Sequence, residues 1–310
     1  MSVPPFGALR PGDKVGIFAP SGPVEPERYA AGLALLKARY RVVEAANVLA
    51  REGFFAGDDA RRLAETQKLF DDPSVRALIA ARGGYGAMRL LPALSLTRFQ
   101  RDPIPIAGFS DITALHLAFR ARALASIHGP VVTQLAGLPA ADREAFFALM
   151  EGRESAVPGS SRSGNAIALE VLRAPRQSTL GPAPMIGGNL SLVSALVGTS
   201  YLSSPKGCVL FLEDVGEKPY RLDRMLVQIQ LAGLLKGVLA IVFGDFTDCD
   251  PPRGEKAPTW RDVLAETCAR VGIPAFLGFP AGHGERNLAF VHGAPVTITL
   301  QDRRHAYLHR

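Results

Sequence analysis

Three residues stand where hydrolytic chemistry could be done. Ser110 lies in the run Ile104–Thr113 (IPIAGFSDIT), an apolar stretch ending in Gly-x-Ser-Asp. Beyond it Ile112, Leu115, Ala118 and Phe119 recur at helical spacing, so the pattern reads as a strand, a sharp turn and an amphipathic helix. The serine then sits at the helix N-terminus, where unpartnered backbone N–H groups stabilise an oxyanion. Glu213 closes the apolar run Cys208–Leu212, and His283 sits between two glycines on a loop, where a large polar ring has little packing purpose. A serine hydroxyl is a poor nucleophile until a base removes its proton, and the base works better when a carboxylate fixes its tautomer. Ser110, His283 and Glu213 are candidates for those three roles.

Each has a plainer reading. Ser110 or Asp111 serves equally well as a helix cap. Glu213 stands in a crowd with Asp214, Glu217, Arg221, Asp223 and Arg224 that can form ordinary ion pairs. The loop Arg82–Gly86 (RGGYG) follows the apolar run Val75–Ala81, and its glycines let backbone N–H groups cradle an oxyanion or a carboxylate, or merely make a tight turn. It lacks the Lys-Ser/Thr of a P-loop and misses the GxGxxG spacing, so no nucleotide cofactor is expected. The chain order Ser, Glu, His matches that of α/β-hydrolases, but Ile112 occupies the second glycine of GxSxG, which argues against the ordinary hydrolase fold. His116, His128, His292, His305 and His309 show no HExxH or other ligand spacing, and Cys208, Cys249 and Cys268 form no CxxC. Neither a metal nor a cofactor is expected.

These residues need elements to hold them. The 310-residue chain is 47% hydrophobic and 21% charged, enough apolar material for more than one core. No apolar run is long enough for a membrane span, no secretory signal is visible, and three cysteines suggest no disulfide framework, so a cytoplasmic location is expected. The net charge of +6 is carried by scattered arginines without interleaved aromatics, which reads as a solvated basic surface and not a nucleic-acid site.

Strand-like runs at Lys14–Ala19, Arg41–Ala45, Val75–Ala81 and Ile104–Phe109 alternate with helical patterns from Pro26, at Asp59–Phe70, at Ala87–Leu91 and at Ile112–Arg122. Such alternation predicts an α/β fold with an N-terminal, mostly parallel open sheet flanked by helices, its ligands at the carboxyl ends of the strands. Glu151–Gly164 is rich in Ser, Gly and charge and reads as a linker. Domains are therefore expected at 1–150 and 179–310, joined by a crossing at 151–178. Beyond Gly164, Ala166–Leu172 and Cys208–Leu212 read as strands, Gly187-Gly188-Asn189 as the opening of a helix to Val197, and Tyr220–Leu235 as a helix before the strand Val238–Phe243. Short apolar runs after Asn287 predict that this C-terminal α/β domain ends in short antiparallel strands.

Taken together, Ala19-Pro20-Ser21-Gly22, Arg82–Gly86, Gly108–Thr113, His128-Gly129-Pro130, Gly187–Leu190, Leu212-Glu213-Asp214 with Tyr220–Leu226, Gly244-Asp245-Phe246, and Gly282-His283 with Asn287 resemble the LD-carboxypeptidase family, the S66 serine peptidases. The match runs in order along nearly the whole chain. The resemblance implies a cytoplasmic, metal-independent and typically dimeric serine peptidase that removes the terminal D-alanine from murein tetrapeptides or muropeptides in cell-wall recycling. Carried over by residue, it implies Ser110 as nucleophile, Glu213 as the triad carboxylate and His283 as base, meeting across the domain junction. It further implies an oxyanion hole of backbone N–H groups from Asp111 and from Gly83 or Gly84. A second branch of the family confers immunity to peptidyl- or aminoacyl-nucleotide antibiotics, and the compact length here favours the cell-wall branch. A catalytically silent muropeptide-binding protein is the third reading.

Overall fold

Residues 6–153 and 166–310 are described by a computed structural model of the chain. The first stretch runs β1 (Lys14–Phe18), α1 (Pro26–Lys37), β2 (Arg41–Glu44), α2 (Asp59–Asp71), β3 (Val75–Ala80), α3 (Ala87–Leu90), α4 (Thr97–Arg101), β4 (Ile106–Gly108), α5 (Thr113–Arg120), β5 (Ser126–His128), α6 (Val132–Leu135) and α7 (Ala140–Met150). The second runs β6 (Ala166–Arg173), β7 (Thr179–Asn189), α8 (Leu190–Ala195), β8 (Val209–Val215), α9 (Pro219–Leu231), β9 (Ala240–Thr247), α10 (Trp260–Val271), β10 (Ala275–Leu277), β11 (Phe290–His292), β12 (Pro295–Leu300) and β13 (His305–His309). Two compact units result. One comprises the residues up to 153 with Leu288–Val291, the other 166–287 with His292–Arg310. The Ser/Gly-rich stretch expected as a linker lies, from residue 154 to Gly164, outside the described residues. Strand β6 falls inside the range 151–178 expected as a crossing.

The first unit is an open sheet of order β11-β5-β4-β3-β1-β2, parallel at β2·β1, β1·β3, β3·β4 and β4·β5. The inner strands β1, β3 and β4 are apolar runs largely buried on both faces, as a helix-covered parallel sheet requires, whereas the edge strand β2 is half-buried. Local signals set its helices: Pro26 occupies the first turn of α1, and the Asp58 carboxylate caps α2 by accepting the Arg61 N–H at 2.7 Å. Phe18, Phe70, Phe99 and Phe119 pack edge to face at 5.5, 5.0 and 4.8 Å between successive rings. Because the strands are parallel, the loops after β1, β3 and β4 leave from one edge. Those loops carry Pro20–Gly22, Arg82–Gly86 and Ser110.

The second unit closes a seven-stranded barrel of order β10-β6-β13-β12-β7-β8-β9. The pairs β7·β8, β8·β9 and β9·β10 are parallel, and the four that close the circuit are antiparallel. The late strands β12 and β13 thus form the antiparallel end expected from their spacing. Gly187-Gly188-Asn189, expected to open a helix, instead ends β7, and the helix starts at Leu190. Pro182, Pro184 and the glycines disguise this strand. Gly187 is there because β7 approaches β8 so closely that a Cβ would stand 2.0 Å from the Phe211 carbonyl oxygen. Strand β8 also runs on through Glu213 and Asp214 to Val215, beyond its apolar core.

Candidate active site

The turn after β4 is an elbow. Phe109 is extended (φ −153°), Ser110 turns to φ +62°, and one turn of 3-10 helix, Ser110–Ile112, leads into α5. An L-residue in the left-handed region is strained and persists only where the surroundings hold it. An N-cap residue has extended backbone, so Ser110 does not have the geometry of a cap, and the residue flanking α5 is Ile112, with no side-chain cap bond. The sharpness of the turn requires Gly108, where a Cβ would stand 2.9 Å from the Ile112 side chain.

The glycine loop closes against this elbow. A Cβ on Gly83 would lie 2.8 Å from Ser110 Cβ and 3.0 Å from its Oγ, whereas one on Gly84 (φ +108°) would lie 3.1 Å from Gly22 Cα. The Gly22 N–H donates to the Gly83 carbonyl at 3.0 Å, tying the Pro20–Gly22 loop to the same place. The buried Asp111 carboxylate accepts the Ala87 N–H at 2.8 Å, joining the elbow to the far end of the glycine loop. Burial pushes its carboxyl above the ordinary value. Arg62, one charge among many in the helical pattern of α2, is fully buried. It donates to the Pro20 carbonyl and, at 3.1 Å, to the Gly57 carbonyl, pairs with Asp59 and lies 4.7 Å over the Phe55 ring.

Beneath the elbow, His116 is neutral. Its Nε2 lies 2.8 Å from the Gly108 carbonyl and its Nδ1 2.8 Å from Ser126 Oγ, so Nε2–H donates and Nδ1 accepts the hydroxyl. Burial lowers its pKa to about 4. His128 stacks on Phe290 at 4.9 Å, and His292 Nε2 accepts the Gly187 N–H at 2.9 Å. His305 pairs with Asp302 on the surface, and His309 is exposed on the last strand. Of the three buried cysteines, Cys249 and Cys268 have thiols that burial pushes up to about 11 and about 12, which keeps them protonated. Trp260 stacks on Phe246 at 5.4 Å.

In the second unit His283 Nδ1 lies 2.7 Å from Glu213 Oε2. The Nδ1–H donates, which puts the basic lone pair of the ring on Nε2. Glu213 is fully buried, and its Oε1 has no hydrogen-bond partner among the described residues, so the imidazole carries the main compensation for its charge. The loop histidine, expected to be exposed, is largely covered, with 18% of its side chain accessible. Burial lowers the His283 pKa, but the hydrogen bond and charge of Glu213 and the charges of Asp214 and Asp245 outweigh it, leaving the pKa above 6.5.

Two further carboxylates crowd this place. Asp214 accepts from Asn189 Nδ2 at 3.0 Å and from the Ser191 N–H and hydroxyl at 2.9 Å, fastening α8 to β8. Burial and then the Glu213 charge push it up to about 6. Asp245 accepts the Gly284 N–H at 3.2 Å, and burial pushes it up to about 6 as well. Among the described residues no group of three or more His, Cys, Asp or Glu is arranged to hold a metal ion, and no helix is long and apolar enough to cross a membrane.

Residues 15–129 match the model of the LD-carboxypeptidase N-terminal domain, and residues 182–298 that of the LD-carboxypeptidase C-terminal domain. The murein tetrapeptide carboxypeptidase of Pseudomonas aeruginosa is 36% identical over 259 residues, covering 81% of each chain. The probable murein peptide carboxypeptidase of Bacillus subtilis is 31% identical over 303 residues, covering 96% of this chain and 92% of that one. The crystal structure of muramoyltetrapeptide carboxypeptidase from Oxalobacter formigenes has the same fold, with a TM-score of 0.79 at 25% identity over 96% of this chain and 99% of that one. More distantly, the microcin C7 self-immunity protein MccF of Escherichia coli is 24% identical over 321 residues, covering 95% of this chain and 93% of that one.

Proposed function

This chain belongs to the LD-carboxypeptidase family, and from that premise we propose that it is a serine carboxypeptidase releasing the terminal D-alanine from murein tetrapeptides, by cleavage of the L,D-peptide bond after the diamino acid. Ser110 is the nucleophile, His283 the general base and Glu213 the carboxylate that orients it. The observation that carries this reading is the hydrogen bond from His283 to the buried Glu213, which leaves Nε2 as the basic atom. In the first step Nε2 takes the Ser110 proton as Oγ attacks the peptide carbonyl, and the tetrahedral oxyanion is stabilised by backbone N–H groups of Asp111 and the Gly83-Gly84 loop. The same proton then passes to the departing D-alanine amine, leaving an acyl-enzyme. Water, deprotonated by the same imidazole, releases the tripeptide acid. The enzyme acts in the cytoplasm, as a homodimer, on fragments recovered from the wall, and this chemistry calls on no metal or cofactor.

The test is to incubate the purified protein with a disaccharide-tetrapeptide or the free tetrapeptide and measure D-alanine. Release by wild type and its loss, by about 10⁴-fold or more, in Ser110→Ala are expected. No release, or release undiminished by the substitution, would sink the reading. Similarity to the microcin immunity protein motivates the second reading, cleavage of an aminoacyl-nucleotide, and the higher identity to the tetrapeptide enzyme weighs against it. Faster turnover of an aminoacyl-nucleotide analogue than of the tetrapeptide would reverse that order. A silent muropeptide binder would bind equally with and without Ser110 and turn over neither.

A further inference from the structure

Strands β8 and β9 pair with a register shift between Leu212 and Asp214, so that Gly244 and Asp245 together stand against Glu213. The Asp245 carboxylate thereby reaches the loop that carries His283. Its Oδ2 accepts the N–H of Gly284, the next residue, while the Asp245 N–H donates to the Ala281 carbonyl at 3.1 Å. The loop is held so close that a Cβ on Gly282 would lie 2.9 Å from Glu213 Oε2 and 3.2 Å from Asp245 Cβ, and one on Gly284 2.6 Å from Asp245 Oδ2. Glycines flank His283 because no side chain fits between the turn and these two carboxylates. The imidazole is faced by Glu213 and Asp214 from β8 and by Asp245 from β9, and Asp245 in turn by Arg286 from the loop itself.

We propose that Asp245 is a positioning residue for His283: it fastens the turn through the Gly284 N–H and, beside Glu213, supplies negative charge that keeps the imidazole basic. This rests on the reading of His283 as general base. Asparagine at 245 keeps an oxygen acceptor for Gly284 and removes the charge, whereas alanine removes both. The experiment is an NMR titration of the His283 ring, assigned by its loss in His283→Gln, together with kcat/KM against pH on the tetrapeptide, for wild type, Asp245→Asn and Asp245→Ala. In wild type the acid limb lies above pH 6.5, because the free enzyme must lose the His283 proton to act. In Asp245→Asn the ring titration and the acid limb move to lower pH and the plateau rate stays near wild type. Asp245→Ala shows the same shift, and its plateau kcat falls by about tenfold or more with KM little changed. A His283 titration that Asp245→Asn leaves in place overturns the proposal, as does a wild-type plateau in Asp245→Ala. If wild type does not cleave the tetrapeptide, the substrate reading fails, and the ring titration still decides the role of Asp245. If the alanine variant does not fold, the asparagine variant decides it.

Discussion

At Ser110 a left-handed backbone is wedged between Gly83 and Gly108, while at His283 a run of glycines is drawn down onto carboxylates from two adjacent strands. Both regions use glycines for close approach, but they hold different things. The first fixes a neutral hydroxyl by shape, with Asp111 and Arg62 bracing the loops behind it. The second fixes a proton by charge, around a glutamate whose second oxygen lacks a partner among the described residues. The serine region should therefore answer to crowding at Gly83, and the histidine region above all to neutralising Glu213.

The strongest way to break that contrast is Glu213→Gln. Loss of charge with little change of volume is expected to lower kcat by about 10⁴-fold, since an amide can hold the wrong imidazole tautomer. A rate within tenfold of wild type would show that packing, not charge, is what Glu213 supplies. Next comes Gly83→Ala, which adds one methyl against Ser110 and is expected to lower kcat by about 10²–10³-fold with the protein still folded. An unchanged kcat would mean that the glycine loop yields, and the steric account of the elbow would fall. The smallest effect concerns His116, a titratable group in the region attributed to shape. Its folded pKa is about 4 against 6.5 when unfolded, so the unfolded chain binds the extra proton between those values. Its contribution is fully present above pH 6.5 and is lost as pH falls toward 4, by about 3 kcal/mol at most. Denaturant midpoints from pH 7 to 4 should show this acid loss, and His116→Gln should flatten it. Equal slopes in the two proteins would exclude it.

Local chemistry made much of the molecule readable. Pro26 and Asp58 mark helix starts by their own geometry, apolar runs mark the parallel strands, and IPIAGFSDIT reads as strand, turn and helix because its period changes at the serine. What stayed hidden depends on partners distant in sequence. Strand β7 looks like a turn until β8 lies beside Gly187, and barrel closure rests on β10 meeting β6 about a hundred residues earlier in the chain. The covering of His283 and the reach of Asp245 follow from a register shift between strands, which leaves no mark in the pattern of either one. Gly244-Asp245-Phe246 is visible in the sequence only as part of the family pattern, because the apolar run ends at Phe243 while the strand continues to Thr247.

Strand β11 has a consequence for how the molecule is made. The sheet that holds Ser110 takes its edge strand from residues 290–292, and Phe290 and Ala289 from that segment cover His128 and Gly129. On the ribosome, every other strand of that sheet emerges first, yet β5 keeps an open edge until nearly the entire chain has been translated. The first unit therefore cannot finish folding during its own synthesis, and a fragment ending before β6 would expose an unpaired strand beside uncovered apolar surface. The order of the chain makes the unit that holds the serine wait until most of the unit that holds the histidine has been synthesised.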